Sequence, residues 1–86
     1  MDDVKLLSEP TNYAIVHLPG RRFPGVVFQG DSLNILIADL ERIKGTDDRT
    51  EARATLQDVI ERLREVRVRY EAVLNREEIS LPYFRP

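Results

Sequence analysis

A long uninterrupted stretch limits what this chain can fold into. Residues 49–76 contain neither proline nor glycine, and apolar side chains recur along them at helical spacing. These apolar residues are Leu56, Val59, Ile60, Leu63, Val66, Tyr70, Val73 and Leu74. A helix over this stretch is about 40 Å long, whereas a compact body of 86 residues is roughly 24–30 Å wide. We therefore expect either a break near residues 53–55 or an apolar stripe that protrudes from the body.

A shorter helix is predicted before this stretch. Its apolar residues also recur at helical spacing, and they are Leu33, Leu36, Ile37, Leu40 and Ile43. Asp31 precedes them as a residue type that caps helix N-termini, and Gly45 follows them as a residue type that ends helices. We therefore predict a first helix over residues 32–44. The Thr-Asp-Asp segment at residues 46–48 then offers an N-cap for the second helix, over residues 49–76.

Three short strands are predicted in the first third of the chain. They cover residues 4–7, 13–18 and 26–29, which are rich in apolar and β-branched residues. Strands followed by helices indicate an α+β fold, here a small antiparallel sheet of two or three strands packed on a C-terminal helical hairpin. The length predicts a single domain over residues 1–86. The tail, residues 79–86, carries two adjacent aromatic residues, so we expect it to fold back onto the core or onto another subunit.

The loop between the second and third predicted strands is the strongest candidate for a binding surface. Pro-Gly pairs at residues 19–20 and 24–25 bracket it, and each pair favours a type II turn, so we expect a stiff loop. The candidate binding residues are Arg21, Arg22, Phe23, Gln29 and Asp31. Arginine and aromatic residues are common at interface centres, and arginines suit a carboxylate or phosphate. Alternatively, one arginine pairs internally with Asp31 or Glu41 while Phe23 closes the core.

The residue types needed for a reactive centre are scarce. The chain has no cysteine, and its single histidine, His17, lies in a predicted strand without a nucleophile or carboxylate nearby. One histidine is too few for a zinc, copper or iron site, and the aspartates at residues 31, 47 and 48 lack the spacing of a calcium loop. The glycines do not form a phosphate-binding motif. We therefore expect a protein that is not an enzyme and has no metal or cofactor.

Charge and hydropathy narrow the set of partners. The net charge of −2 argues against nucleic-acid binding, which needs a concentrated positive surface. The sequence has no apolar run of the length that crosses a membrane, and the acidic N-terminus does not resemble a signal peptide. We therefore expect a cytoplasmic protein whose partner is another protein.

The long apolar stripe supports a second hypothesis, in which the protein is a homodimer. Two copies could bring their helix pairs together in a four-helix contact that hides the stripe. The candidate dimer-interface residues are Leu56, Val59, Leu63, Val66, Tyr70 and Val73. A third hypothesis is a small anion- or nucleotide-binding protein, in which the loop arginines and the amides at the start of the first helix hold the ligand.

Residues 11–36, TNYAIVHLPGRRFPGVVFQGDSLNIL, resemble the signature of a family of small bacterial proteins. That family, found in actinobacteria among other groups, has no assigned activity. The resemblance implies that the following residues belong to a family motif: Gly20, Arg21, Phe23, Pro24, Gly25, Gln29, Gly30, Asp31 and Leu33. Small acidic proteins of this kind are often immunity proteins in bacterial toxin systems, which is an association and not a property of any residue.

Together these observations predict a non-enzymatic protein–protein interaction module of the immunity or accessory type. Its contact surface would be the loop at Arg21, Arg22 and Phe23 with the adjoining helix start, and its partner would be a toxin or another bacterial protein. The homodimer and the anion-binding protein are the alternatives.

Overall fold

A computed structural model describes residues 3–84 of the chain. Three strands come first, β1 (Lys5–Leu6), β2 (Tyr13–His17) and β3 (Gly25–Phe28), and the helices α1 (Gly30–Gly45) and α2 (Arg49–Arg76) follow. The strands form one antiparallel sheet in the order β1-β2-β3. The α+β fold predicted from the sequence, antiparallel strands followed by two helices, is confirmed.

The register of the sheet places its larger apolar side chains on one face. Tyr13 pairs with Phe28 and Ile15 pairs with Val26, and these four side chains share a face because side chains alternate along a strand. The hydroxyl of Ser8 accepts the N–H of Ile15 at 2.9 Å. A side chain thus satisfies a buried backbone donor just where β1 ends.

The core lies between this face of the sheet and the C-terminal half of α2. Its buried side chains are Ile15, Tyr70, Val73 and Leu74. Half-buried side chains pack around them, namely Leu7, Tyr13, Val26, Ile79 and Leu81. The Tyr70 hydroxyl donates to the carbonyl of Pro24 at 2.7 Å, which ties the loop before β3 to α2.

α2 extends well beyond the sheet. The helix is unbroken at residues 53–55, so the break considered above does not occur. The five-residue strand β2 spans about 16 Å, whereas the 28 residues of α2 span about 42 Å. The described part of the molecule measures 50 × 31 × 20 Å, and its radius of gyration is 15.7 Å, against about 12 Å for a compact chain of this length. The N-terminal half of α2 therefore packs chiefly on α1.

The start of α1 differs from the sequence prediction. The helix begins at Gly30 with Gln29 at the N-cap, and the Gln29 carbonyl accepts the N–H of Leu33 at 3.0 Å. The prediction of Asp31 as the N-cap was wrong, because the helical ladder starts two residues earlier. Asp31 lies in the first turn instead, where its carboxylate accepts the N–H of Ser32 at 2.8 Å.

The connection between the helices was predicted only in part. Gly45 is the last residue of α1 and does not adopt a positive φ, and the residue that follows, Thr46, is extended. The predicted glycine C-cap was therefore wrong, because an extended residue lets the chain leave the helix without a left-handed turn. Asp48 caps α2 as predicted, and its carboxylate accepts the N–H of Glu51 at 3.1 Å.

The chain after α2 turns back onto the core. Glu78 has a φ of 59°, and the N–H of Ile79 donates to the Leu74 carbonyl at 2.9 Å, as in a Schellman C-cap. Tyr83 then stacks on Tyr70, with ring centroids 6.4 Å apart. The following Phe84 is 87% exposed, and the remainder of the predicted aromatic tail, residues 85–86, lies outside the described residues.

Candidate functional site

α1 and α2 form a helical hairpin with a polar edge. Arg62 donates to Asp39 across the two helices and contacts Asp58 at 3.0 Å. Arg42 lies 3.4 Å from Asp39 and 3.9 Å from Glu51. The hydrogen bond to Asp39 raises the pKa of Arg62. This edge therefore holds the two helices together through charged side chains, although the buried Nε of Arg62 has no hydrogen-bond partner among the described residues.

The opposite edge of the hairpin is apolar. Because a helix turns about 100° per residue, the aliphatic residues 33, 37 and 40 of α1 lie on the side away from Arg42. Residues 56, 60 and 63 of α2 likewise lie away from Glu51, Asp58 and Arg62. We call this surface the hairpin face, and it consists of Leu33, Ile37, Leu40, Leu56, Ile60 and Leu63.

The hairpin face has no neighbour in the described part of the chain that covers it. Five of its six side chains are 42–47% exposed, and Ile60 is half-buried. α1 contributes no buried residue at all, although every one of its 16 residues is described. Single exposed aliphatic residues are ordinary, but a contiguous row along two paired helices is typical of an interaction surface.

Two clefts lie where the hairpin meets the sheet. The larger one has a volume of about 480 Å³. Its apolar lining includes Tyr13, Phe28, Ile35, Leu36, Leu63 and Val66, and its charged lining is Arg62, Glu65 and Arg69. The smaller cleft, of about 390 Å³, runs from Leu63 of the hairpin face past Tyr70 to Pro24. The hairpin face is thereby continuous with the end of the loop before β3.

That loop, residues 18–24, is held in one shape. Gly20 has a φ of 76°, and the N–H of Arg21 donates to the Leu18 carbonyl at 3.3 Å. The Nε2–H of His17 donates to the carbonyl of Arg21 at 2.7 Å. The first Pro-Gly pair therefore turns as expected. The second does not, because Gly25 lies in β3 without a positive φ.

The loop presents both of its arginines to solvent. Arg21 and Arg22 are exposed, and neither forms an ion pair within residues 3–84, so the predicted alternative of internal pairs with Asp31 or Glu41 is not formed there. The Arg22 guanidinium lies 5.1 Å from the ring centre of Phe23, which is half-buried. The two arginines are thus available for an external contact.

Gln29 and Asp31 lie at the other end of β3. The four residues of that strand separate them from the loop by about 13 Å, and the N–H of Gln29 donates instead to the Asn12 carbonyl at 2.9 Å. The structure therefore divides the predicted binding residues into two groups. The carboxylate of Asp31 also places negative charge in the first turn of α1, which disfavours a bound anion there.

Half of the predicted dimer-interface residues are buried within this chain. These are Val59, Tyr70 and Val73, while Val66 is half-buried and Leu56 and Leu63 are exposed. The sequence prediction did not include the exposed residues of α1, Leu33, Ile37 and Leu40, among its interface candidates. One signal was present, because Leu33, Leu36, Ile37, Leu40 and Ile43 span an arc of about 120° and Ile35 lies outside it, which is wider than contact with one neighbouring helix needs.

A metal-binding cluster and a membrane-spanning helix are both absent from the described residues. Within residues 3–84, the acidic and histidine side chains do not gather into a set of three or more that could hold a metal ion. Neither helix in that range is at once long and apolar enough to cross a membrane. Burial raises the pKa of Tyr70, and burial together with a hydrogen bond to Glu71 raises the pKa of Tyr83.

The chain belongs to a family of unknown function (DUF6959), whose family model matches residues 1–83. The matched region includes both helices as well as the loop segment that suggested a family. A search of curated proteins and a search of solved structures each found no match. Family membership therefore assigns no activity to the chain. A function has to be inferred from the surfaces described above.

Proposed function

We propose that this member of the family is a non-enzymatic protein–protein interaction module that binds a helical segment of a partner protein on its hairpin face. One observation carries the proposal: five large aliphatic side chains, each 42–47% exposed, line one edge of two paired helices. A partner helix laid along them would complete their burial, as in helix-in-groove recognition. Each side chain would contribute about 1 kcal/mol, since about half of its surface is still exposed.

The polar edge supports this role because it prepares the surface in advance. Contacts of Arg62 and Arg42 with carboxylates of both helices hold α1 against α2. A partner would then meet a surface that is already assembled, so less conformational entropy is lost on binding.

The loop at residues 18–24 adds a second contact to the proposal. The smaller cleft connects it to Leu63, and Arg21 and Arg22 have no internal carboxylate partner in the described chain. A partner that extends through the cleft would reach these arginines. The bacterial origin and the immunity or accessory role expected from the sequence resemblance remain predictions.

The test uses a synthetic helical peptide of about 25 residues, long enough to be helical, with a leucine stripe and uncharged flanks. Fluorescence anisotropy measures its binding to the protein. The double variant Leu40→Gln and Leu63→Gln should weaken binding by about tenfold or more. Val68→Gln is the matched control, because Val68 is 62% exposed but lies on another side of α2, and it should leave binding unchanged.

Light scattering identifies the occupant of the hairpin face. A mass near 10.0 kDa leaves the face open for a partner protein. If the protein is a dimer and the Leu40→Gln and Leu63→Gln variant is a monomer, a second copy covers the hairpin face. The homodimer would then replace this proposal. Equal peptide binding by the Leu40→Gln and Leu63→Gln variant and by Val68→Gln would also contradict docking on the hairpin face.

A further inference from the structure

α2 carries a row of arginines beside the hairpin face. All four side chains are exposed, and we call them the arginine flank: Arg49, Arg53, Arg64 and Arg67. At about 100° per residue they fall within an arc of about 60°, next to the arc of Leu56 and Leu63. Among residues 3–84, none of the four forms an ion pair.

The contrast with the polar edge shows that charge is segregated across the hairpin. On the polar edge, Arg42 and Arg62 each contact carboxylates, and Glu51 and Asp58 of α2 lie on the same edge.

The arc of the arginine flank holds one carboxylate, Glu71, which lies one turn after Arg67 and accepts the Tyr83 hydroxyl at 2.9 Å. Four arginines against one carboxylate leave positive charge in excess beside the apolar stripe. A partner seated on the hairpin face would therefore meet cations along one of its sides.

A second copy of the chain matches this flank poorly. If two hairpin faces met with α2 opposite α2, the two arginine flanks would lie along the same seam and repel each other. If α2 met α1 instead, the corresponding flank of α1 would offer Glu41 beside Asn34 and Ala38. A single carboxylate would then face four arginines.

A flat membrane surface matches it poorly as well. Leu56, Leu63 and Tyr70 are seven residues apart and share a side of α2, because two helical turns nearly restore the direction. Tyr70 packs against the sheet in the core. The sheet therefore stands on the same side as the hairpin face and would hold a flat bilayer away, whereas a helix fits along the hairpin beside it.

We infer that the partner segment is an acidic amphipathic helix, whose apolar stripe covers the hairpin face while its Asp and Glu residues meet the arginine flank. The inference rests on the proposed function and names its partner class. Ion pairs at the rim of an interface contribute chiefly to selectivity and to the rate of association. The selectivity for acidic segments should therefore depend strongly on salt.

The experiment compares two peptides of about 25 residues with the same leucine stripe, one flanked by Glu and the other by Lys. Anisotropy titrations at low salt should give at least about tenfold tighter binding of the Glu peptide. In roughly 0.5 M salt, where screening acts over a few Å, the two affinities should converge. The variant Arg53→Glu with Arg64→Glu should reverse the preference, and Arg53→Gln with Arg64→Gln should remove it. Circular dichroism verifies that each variant is folded.

Lys5→Glu, compared with the single flank variant Arg64→Glu, is the charge-matched control. The two variants change the net charge equally, but Lys5 is an exposed residue of β1, so Lys5→Glu should retain the preference for the Glu peptide while Arg64→Glu should weaken it. Loss of the preference in Lys5→Glu would assign it to the overall charge of the protein and overturn the inference.

The remaining outcomes separate this inference from the proposed function. Equal binding of both peptides at low salt, abolished by Leu40→Gln and Leu63→Gln, would leave the docking face intact and overturn only the acidic partner. Failure of both peptides to bind would overturn the two together. Binding to phosphatidylserine vesicles that depends on the arginine flank, without binding to the Glu peptide, would replace the acidic helix with a membrane surface.

Discussion

The two halves of α2 carry the same spacing of apolar residues but bury them differently. In the C-terminal half, Tyr70, Val73 and Leu74 are at most 6% exposed because the sheet covers them. Before Val66, Leu56 and Leu63 are more than 40% exposed while Val59 is buried, since α1 is the chief neighbour there. An apolar stripe thus specifies a helix face, whereas the extent of the neighbouring layer decides whether that face becomes core or remains available for another molecule.

The largest expected effect tests this contrast through stability. Leu74→Ala should lower the free energy of unfolding by about 2–5 kcal/mol, since Leu74 is fully buried and its truncation leaves a cavity. Leu40→Ala on the hairpin face should cost less than about 1 kcal/mol. Urea unfolding measures both values. Comparable losses in the two variants would mean that the hairpin face is core, and the contrast would fail.

A second prediction concerns the hydroxyl that ties the loop to α2. Tyr70→Phe leaves the Pro24 carbonyl without its donor in a buried position, which should cost about 1–2 kcal/mol. Tyr83→Phe removes an exposed hydrogen bond to Glu71 and should change stability by less than about 0.5 kcal/mol. Chemical denaturation separates the two values. If Tyr70→Phe left the free energy of unfolding unchanged, the hydroxyl would not stabilise the contact between α2 and the loop before β3.

The ends of the two helices differ in whether glycine stabilises the protein: a glycine should stabilise it at residue 78, and an alanine should stabilise it at residue 45. Glu78 adopts a φ of 59°, so Glu78→Gly should relieve strain and stabilise the protein by about 0.5 kcal/mol. Gly45 is helical and a Cβ there meets nothing within 4 Å, so Gly45→Ala should also stabilise by about 0.5 kcal/mol. Thermal unfolding measures both shifts. A destabilised Gly45→Ala variant would contradict the helical end of α1.

The smallest effect is an alkaline loss of stability that originates at the sheet end. Burial raises the pKa of Tyr70 above the ordinary value of 10.0 that it regains on unfolding. The unfolded chain therefore loses this proton at lower pH, so stability should fall as the pH rises through and above 10.0. Denaturation at several pH values measures the slope, and Tyr70→Phe should reduce it. An unchanged slope in that variant would assign the loss to other groups, such as Tyr83.

Much of the fold could be predicted from the sequence because local signals agreed with the global arrangement. The apolar spacing of residues 49–76 and the cap at Asp48 predicted α2, and the structure has a helix over the same range. The caps at Asp31 and Gly45 were wrong, because several residue types tolerate a helix end and tertiary packing selects one of them. The sequence therefore predicts the existence of a strand or helix better than the residues at which it begins and ends.

The candidate site was predicted only in pieces. Arg21, Arg22 and Phe23 were found because a bracketed loop with adjacent arginines is visible in the sequence. Their separation from Gln29 and Asp31 was not visible, since it follows from the direction of β3. The exposure of Leu33, Ile37 and Leu40 was not visible either, because a pattern of apolar spacing does not say how many neighbours a helix has.

By itself, the sequence determined the order of strands and helices, the apolar side of each helix and the scarcity of reactive groups, since all three depend on residue type and local spacing. The tertiary structure alone decided which part of each apolar side is covered. A five-residue strand is too short to shield a 28-residue helix, and the polar edge turns the uncovered side of both helices in a common direction. That direction places the arginine flank beside the exposed leucines, where a partner could contact both.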